Sequence, residues 1–125
     1  MALRVADRVK QTTTSTGTGG ISLNGSVDGF QDFSQALSDG DTTFYVIEEN
    51  DQFEIGLGTY GTNTLNRDVV FSSSNSDSKL TLGGSGVVSL TYPADRSVFK
   101  NSDQHTVASS GILFSSNPTL NVIFD

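Results

Sequence analysis

Apolar and polar positions along this chain fall in short runs, and a period of two dominates. Leu3, Val5 and Val9 share one parity, while Arg4, Arg8 and Lys10 share the other. That is the pattern of a half-buried strand. Asp7 interrupts the apolar face, so the segment reads as an edge strand or an arm. Gln11 to Gly20, QTTTSTGTGG, reads as an exposed, extended connection, since Thr suits strand geometry and glycines mark turns. Ile21 to Leu23 starts another strand, ended by Asn24-Gly25. Phe30, Phe33, Ala36 and Leu37 form the one helical stripe. It predicts a short helix near residues 30–37 that closes at Ser38-Asp39-Gly40. So short a helix cannot stand alone and must lie on a sheet.

Thr42 to Glu49, TTFYVIEE, is rich in β-branched and aromatic residues. After Asn50-Asp51, Phe53, Ile55 and Leu57 alternate with Gln52, Glu54 and Gly56. Two such runs around an Asn-Asp turn predict a hairpin. Leu65 to Phe71 predicts another strand, and Ser72 to Ser78 a polar loop. Leu80 with Leu82, then Val87 to Tyr92, predict two more strands joined by Gly83 to Gly86, with Pro93 ending the second. Val107, Ile112 to Phe114 and Leu120 to Phe124 supply further β-like segments, the last with Leu120, Val122 and Phe124 on one face. The expected fold is all-β, a β-sandwich or small barrel of about eight to ten short strands with one short helix. Residues 1–99 read as one β-domain with an extended N-terminal arm over residues 1–18. Residues 100–125 read as an extension that adds one or two strands to the same domain or to a neighbouring subunit.

Composition narrows the function. With 125 residues the chain suits one domain of ordinary size. Hydrophobic residues make up 34%, and Ser, Thr, Asn and 13 Gly fill the deficit. The net charge is −7, and the 7 Lys and Arg form no dense basic run. Nucleic acid and anionic membrane are therefore poor partners, because phosphate binding depends on cations that displace counterions. The absence of Cys removes disulfides, thiolate metal sites and Cys nucleophiles. No apolar run reaches the roughly 18 residues that would cross a bilayer. The charged, alternating N-terminus is unlike a signal core, so synthesis in the cytoplasm is expected.

Candidate chemistry is thin. The single histidine, His105, lies in the polar stretch NSDQHTV, where abundant Ser and Asp make any triad match uninformative. Gly84-Ser85-Gly86 sits between two predicted strands, not at a strand-to-helix elbow. Asp39-Gly40-Asp41 and Glu48 to Asp51 match no EF-hand loop. Gly17 to Gly20 carries no P-loop lysine, and Gly56 to Gly61 leads into turn residues instead of a helix. No catalytic, cofactor-binding or metal-binding residue is assigned, and the chain does not read as an enzyme.

Five blocks occur in a telling order: ADRVKQTTTSTGTG (Ala6 to Gly19), GSVDGFQDFSQAL (Gly25 to Leu37), DGDTTFYVIEENDQFEIGLGTY (Asp39 to Tyr60), TLNRDVVFSSSN (Thr64 to Asn75) and TYPADRSVF (Thr91 to Phe99). Together they resemble a structural module of tailed-bacteriophage virion proteins. The likeness covers residues 3–99. It implies a small, non-enzymatic β-domain of the kind found at the start of tail-fibre and appendage proteins and in short stand-alone virion proteins. No catalytic residues come with it. Only the stretch from Lys100 to Asp125 follows the module here, too little for a fibre shaft.

The resemblance implies a stand-alone capsid decoration (cement) protein on the virion exterior, with the major capsid protein as partner. A tail, neck or fibre-attachment component is the alternative. A carbohydrate- or receptor-binding domain is a third reading, in which Tyr45, Tyr60 and Tyr92 would stack on sugar rings. A homo-oligomer, a trimer at a threefold site, would suit decoration. Strand addition onto a neighbour needs only arms. The interface residues expected on that basis are Leu3, Arg4, Val5, Arg8 and Val9 in the N-terminal arm, and Leu120, Val122 and Phe124 in the last strand.

Overall fold

The computed structural model describes residues 2–100 and 106–108. The chain divides into two compact units, residues 1–91 and 92–125. The first contains β1 (Lys10–Thr13), β2 (Thr16–Gly17), β3 (Ile21–Ser22), α1 (Phe33–Ala36), β4 (Thr42–Glu49), β5 (Gln52–Gly61), β6 (Thr64–Ser73), β7 (Leu82–Gly83) and β8 (Gly86–Leu90). The fold is all-β with one short α-helix. In the second unit a 3-10 turn at Ala94–Arg96 follows Pro93, and β9 (Val98–Lys100) pairs antiparallel with β10 (Thr106–Ala108).

Six strands make one antiparallel sheet in the order β1-β8-β4-β5-β6-β3. The chain leaving β3 then returns to β1. Asn24 donates to the Thr12 carbonyl at 2.8 Å, Thr12 to that of Gly25 at 2.9 Å, and Val27 to that of Lys10 at 3.1 Å. These bonds carry the sheet nearly round into a barrel, which removes most free edges. One seam stays open. β3 pairs with β6 only at Ile21↔Leu65 and Ser22↔Thr64, so β6 beyond Leu65 has no strand on that side among the described residues. The small β2–β7 ribbon is the other sheet of this unit.

Val9, Ile21, Leu23, Phe33, Leu37, Tyr45, Ile47, Tyr60, Leu65, Leu80, Leu82 and Val88 fill the barrel. The predicted β4–β5 hairpin forms around Asn50, whose φ of 55° fits the tight turn. The helix is shorter than its stripe. Phe33 and Leu37 face the core, with the Phe33 ring stacked on Tyr60 at 6.3 Å, whereas Phe30 stays outside. Asp32 N–H donates to the Gln35 side chain, half of a capping box at the first turn. Buried Gln11 accepts from Phe33 N–H at 2.7 Å and donates to the Asn24 carbonyl, tying helix and β3 to β1.

The alternation of β5 is real, but its inward face is the polar one. Glu54, Gly56, Gly58 and Tyr60 are buried, while Phe53, Ile55 and Leu57 face outward. The N-terminal segment also departs from a free arm. Lys10–Thr13 is barrel wall, and Thr16–Gly17 pairs with β7. Val9 is only 1% exposed because its side chain belongs to the core. Only residues 2–8 run along the outside.

Candidate functional site

The buried polar centre of the barrel is Glu54, Arg67 and Tyr45. Both side chains of the Glu54–Arg67 ion pair are 0% exposed, with Arg67 Nη1 3.1 Å from Glu54 Oε1. The same carboxylate oxygen accepts from Leu80 N–H at 2.8 Å, and Glu54 Oε2 accepts from the Tyr45 hydroxyl at 2.6 Å. Arg67 also donates to the carbonyls of Gly19 (3.1 Å), Gly17 (3.1 Å) and Leu80 (2.9 Å). Burial, then the hydrogen bond to Glu54, pushes the Tyr45 phenol above the usual range, so it stays a donor.

This position matters because it lies at the open seam. Where β6 lacks a neighbouring strand, the guanidinium fork of Arg67 satisfies carbonyls of the two loops there. Its Nε, Nη1 and Nη2 all donate to these carbonyls or to Glu54, and no buried side-chain N or O among the described residues lacks a partner. The arrangement locks loops onto a barrel; it presents no poised acid or base.

A second buried carboxylate, Glu49, sits in a backbone cradle. It accepts from Gly83 N–H at 2.7 Å and Ser85 N–H at 2.8 Å. The Gly84-Ser85-Gly86 stretch thus holds an anion of its own chain. The Ser85 backbone bond, opposed by burial and helped by those of Gly83 and Gly84, lowers the Glu49 pKa. A carboxyl depressed in the folded state stabilises fully above its unfolded pKa of about 4.3, and that contribution is lost as pH falls through the folded value. Glu49→Gln is therefore expected to lower stability by about 1.5 kcal/mol at pH 7. The difference from the parent should shrink at pH 3, as read from urea midpoints at the two pH values.

The other acidic cluster is also internally engaged. Asp39 accepts from Thr62 N–H and Oγ1, both at 2.8 Å. Asp41 accepts from Ser38 N–H at 2.9 Å, Ala2 N–H at 3.1 Å and Arg4 Nε at 3.0 Å. Among the described residues, no group of three or more His, Asp or Glu side chains is placed to hold a metal ion.

The expected interface residues separate into four sets. Leu3 and Val5 are 55% and 53% exposed, on a segment that pairs in parallel with β4 at Leu3↔Thr42. Arg4 is bound to Asp41, and Arg8 covers the Phe30 ring at 3.7 Å. Val9 is in the core and leaves the set. Leu120, Val122 and Phe124 lie outside the described residues, as does His105. Sequence reasoning missed the Glu54–Arg67 pair, and Tyr45, read there as a sugar-stacking ring, is wholly buried, as Tyr60 nearly is. The signal was present as a charged residue in the parity opposite to three apolar ones, which on an amphipathic strand reads as solvent-facing.

No protein-family model, curated protein or solved structure matches the chain.

Proposed function

We propose that this chain is a non-enzymatic structural protein of a tailed-phage virion, a decoration protein that binds the outside of the head shell. One observation supports it most. Four of the five blocks that resemble the virion module fall in the barrel unit, and they carry β1, β4, β5 and β6 of its six-stranded sheet. The longest carries the β4–β5 hairpin with Tyr45, Glu54, Gly56 and Gly58, and another carries β6 with Arg67. The likeness therefore includes residues that hold the fold together. The outlying segment, with Leu3 and Val5 exposed, offers the apolar contact that a shell-bound arm needs. An acidic exterior keeps unassembled copies soluble.

Cryo-electron microscopy of purified particles tests the reading. Copies spread over the head support decoration. Copies confined to the tail or neck favour an adaptor role, and absence from particles overturns both. The contact segment is tested separately. Removing residues 1–5 takes away Leu3, Val5 and Arg4 but spares Val9 and β1. The shortened chain is expected to keep its β circular dichroism and lose particle binding in co-sedimentation. Retained binding would remove the segment from the interface.

A further inference from the structure

The outer wall of β1, β8, β4 and β5 has an ordered distribution of charge. Lys10 stands opposite Ser89, Ser89 opposite Val46, and Val46 opposite Ile55. In the next outward row Thr12 faces Val87, Val87 faces Glu48, and Glu48 faces Phe53. The intervening row, Gln11, Val88, Ile47 and Glu54, is buried, so these two rows point out of the barrel. Phe53 is 38% exposed, and Val46, Ile55 and Val87 are half-buried.

The cation at one margin of this wall is held in an unusual way. Lys10 Nζ lies 4.7 Å from the centre of the Phe30 ring, and the Arg8 guanidinium lies 3.7 Å from it. Arg8 adopts a φ of 59°, a left-handed conformation that is unfavourable for a residue with a Cβ. The guanidinium is anchored there by the Gly29 carbonyl, with Nη2 at 3.2 Å. Neither cation has a carboxylate partner among the described residues, in a chain with 14 acidic side chains. Arg4 and Arg67, by contrast, are paired with Asp41 and Glu54. Two strands in from β1, in the other outward row, Glu48 is exposed and has no side-chain partner among the described residues. From strand spacing and rise, Lys10 and Glu48 stand about 12 Å apart.

We infer that this wall is a self-complementary interface with a second copy of the chain. A two-fold axis in the plane of contact, passing between Lys10 and Glu48, sets Lys10 of each copy on Glu48 of the other. Val46 and Val87 then lie close to the axis, as an isologous contact requires. The aromatic anchor restricts where the cations sit, so less freedom is lost on pairing. The wall offers only two outward rows across four strands, which makes the dimer a weak one, with a Kd of roughly micromolar order. The inference does not rest on the virion reading.

Charge reversal tests it on the full chain by sedimentation velocity. The parent is expected to dimerise with rising concentration and less so in high salt. Lys10→Glu and Glu48→Lys alone should each weaken the dimer about 10-fold or more, because like charges then face each other. An equimolar mixture of the two variants should restore it, since each reversed residue meets the other's complement. A parent that stays monomeric at about 100 μM, variants that dimerise like the parent, or a mixture that does not recover would each overturn the interface. If a reversal unfolds the barrel by circular dichroism, Lys10→Gln and Glu48→Gln take its place, with weakened dimers expected and unchanged ones overturning. A monomeric parent that still coats particles would sink this interface and leave the virion reading standing.

Discussion

Arg67→Met is expected to be among the most destabilising single substitutions in the barrel, by about 3–5 kcal/mol. It would strand the Glu54 carboxylate in the core, where both partners of the pair are wholly buried. It would also leave the Gly17, Gly19 and Leu80 carbonyls without the guanidinium that they now share. A domain of this size has only about 5–15 kcal/mol in total, so the loss should show as a large fall in the urea midpoint. Arg67→Lys should recover part of it, because an ammonium restores the charge but cannot span three carbonyls in the geometry of a planar fork. Glu54→Gln/Arg67→Met should lose less than the sum of the single variants, since the second change removes the stranded charge. It should still fall short of the parent, because the loop carbonyls stay unsatisfied. That separates this pair from buried ion pairs that apolar residues replace without loss. A fall of less than about 1 kcal/mol for Arg67→Met, within the range of a neutral hydrogen bond, would mean that the seam is not held by this residue.

The buried Glu54–Arg67–Tyr45 centre explains which parts of the fold could be read from the sequence. The all-β class, the β4–β5 hairpin and the core role of Phe33 and Leu37 follow from local patterns, and the structure has them. The inward face of β5 does not follow from them. Apolar alternation places Phe53, Ile55 and Leu57 inside, yet Glu54 is the buried residue. The reason is long-range. A carboxylate is tolerable inside only if Arg67, 13 positions away, and the Leu80 N–H, 26 positions away, arrive beside it. No window of local sequence contains that condition. Val9 illustrates the same limit from the other side. Its parity with exposed Leu3 and Val5 puts the three on one apolar face, interrupted at Asp7. The left-handed turn at Arg8 breaks the strand between them, and Val9 enters the core while the others stay outside. For the candidate interface, Arg4 and Arg8 were legible as charges on a terminal segment. The pairing of Lys10 with the Phe30 ring required the closure of β1 against the segment after β3.

Gly56→Ala is the second substitution expected to have a large effect, at or beyond the upper end of the roughly 1–3 kcal/mol for an overpacked core. A Cβ at Gly56 would lie 2.1 Å from the Val69 carbonyl oxygen and 2.8 Å from the Tyr45 hydroxyl. The first neighbour is backbone in the paired strand and cannot swing aside; the second holds Glu54 Oε2. Either response damages the barrel, by prising β6 from β5 at the bulge beside Ile55 or by withdrawing the phenol and leaving a buried carboxylate oxygen unpaired. Gly25→Ala is the matched control, because a Cβ there meets nothing within 4 Å. Thermal melts should show Gly56→Ala well below the parent and Gly25→Ala close to it; equal shifts would sink the steric account. The comparison bears on why a strand with two interior glycines is stable at all. A glycine in a strand weakens it when nothing fills the space of its missing side chain. Here the Tyr45 ring fills that space, so the volume given up by Gly56 places the hydroxyl on Glu54, which in turn is paired with Arg67 at the seam.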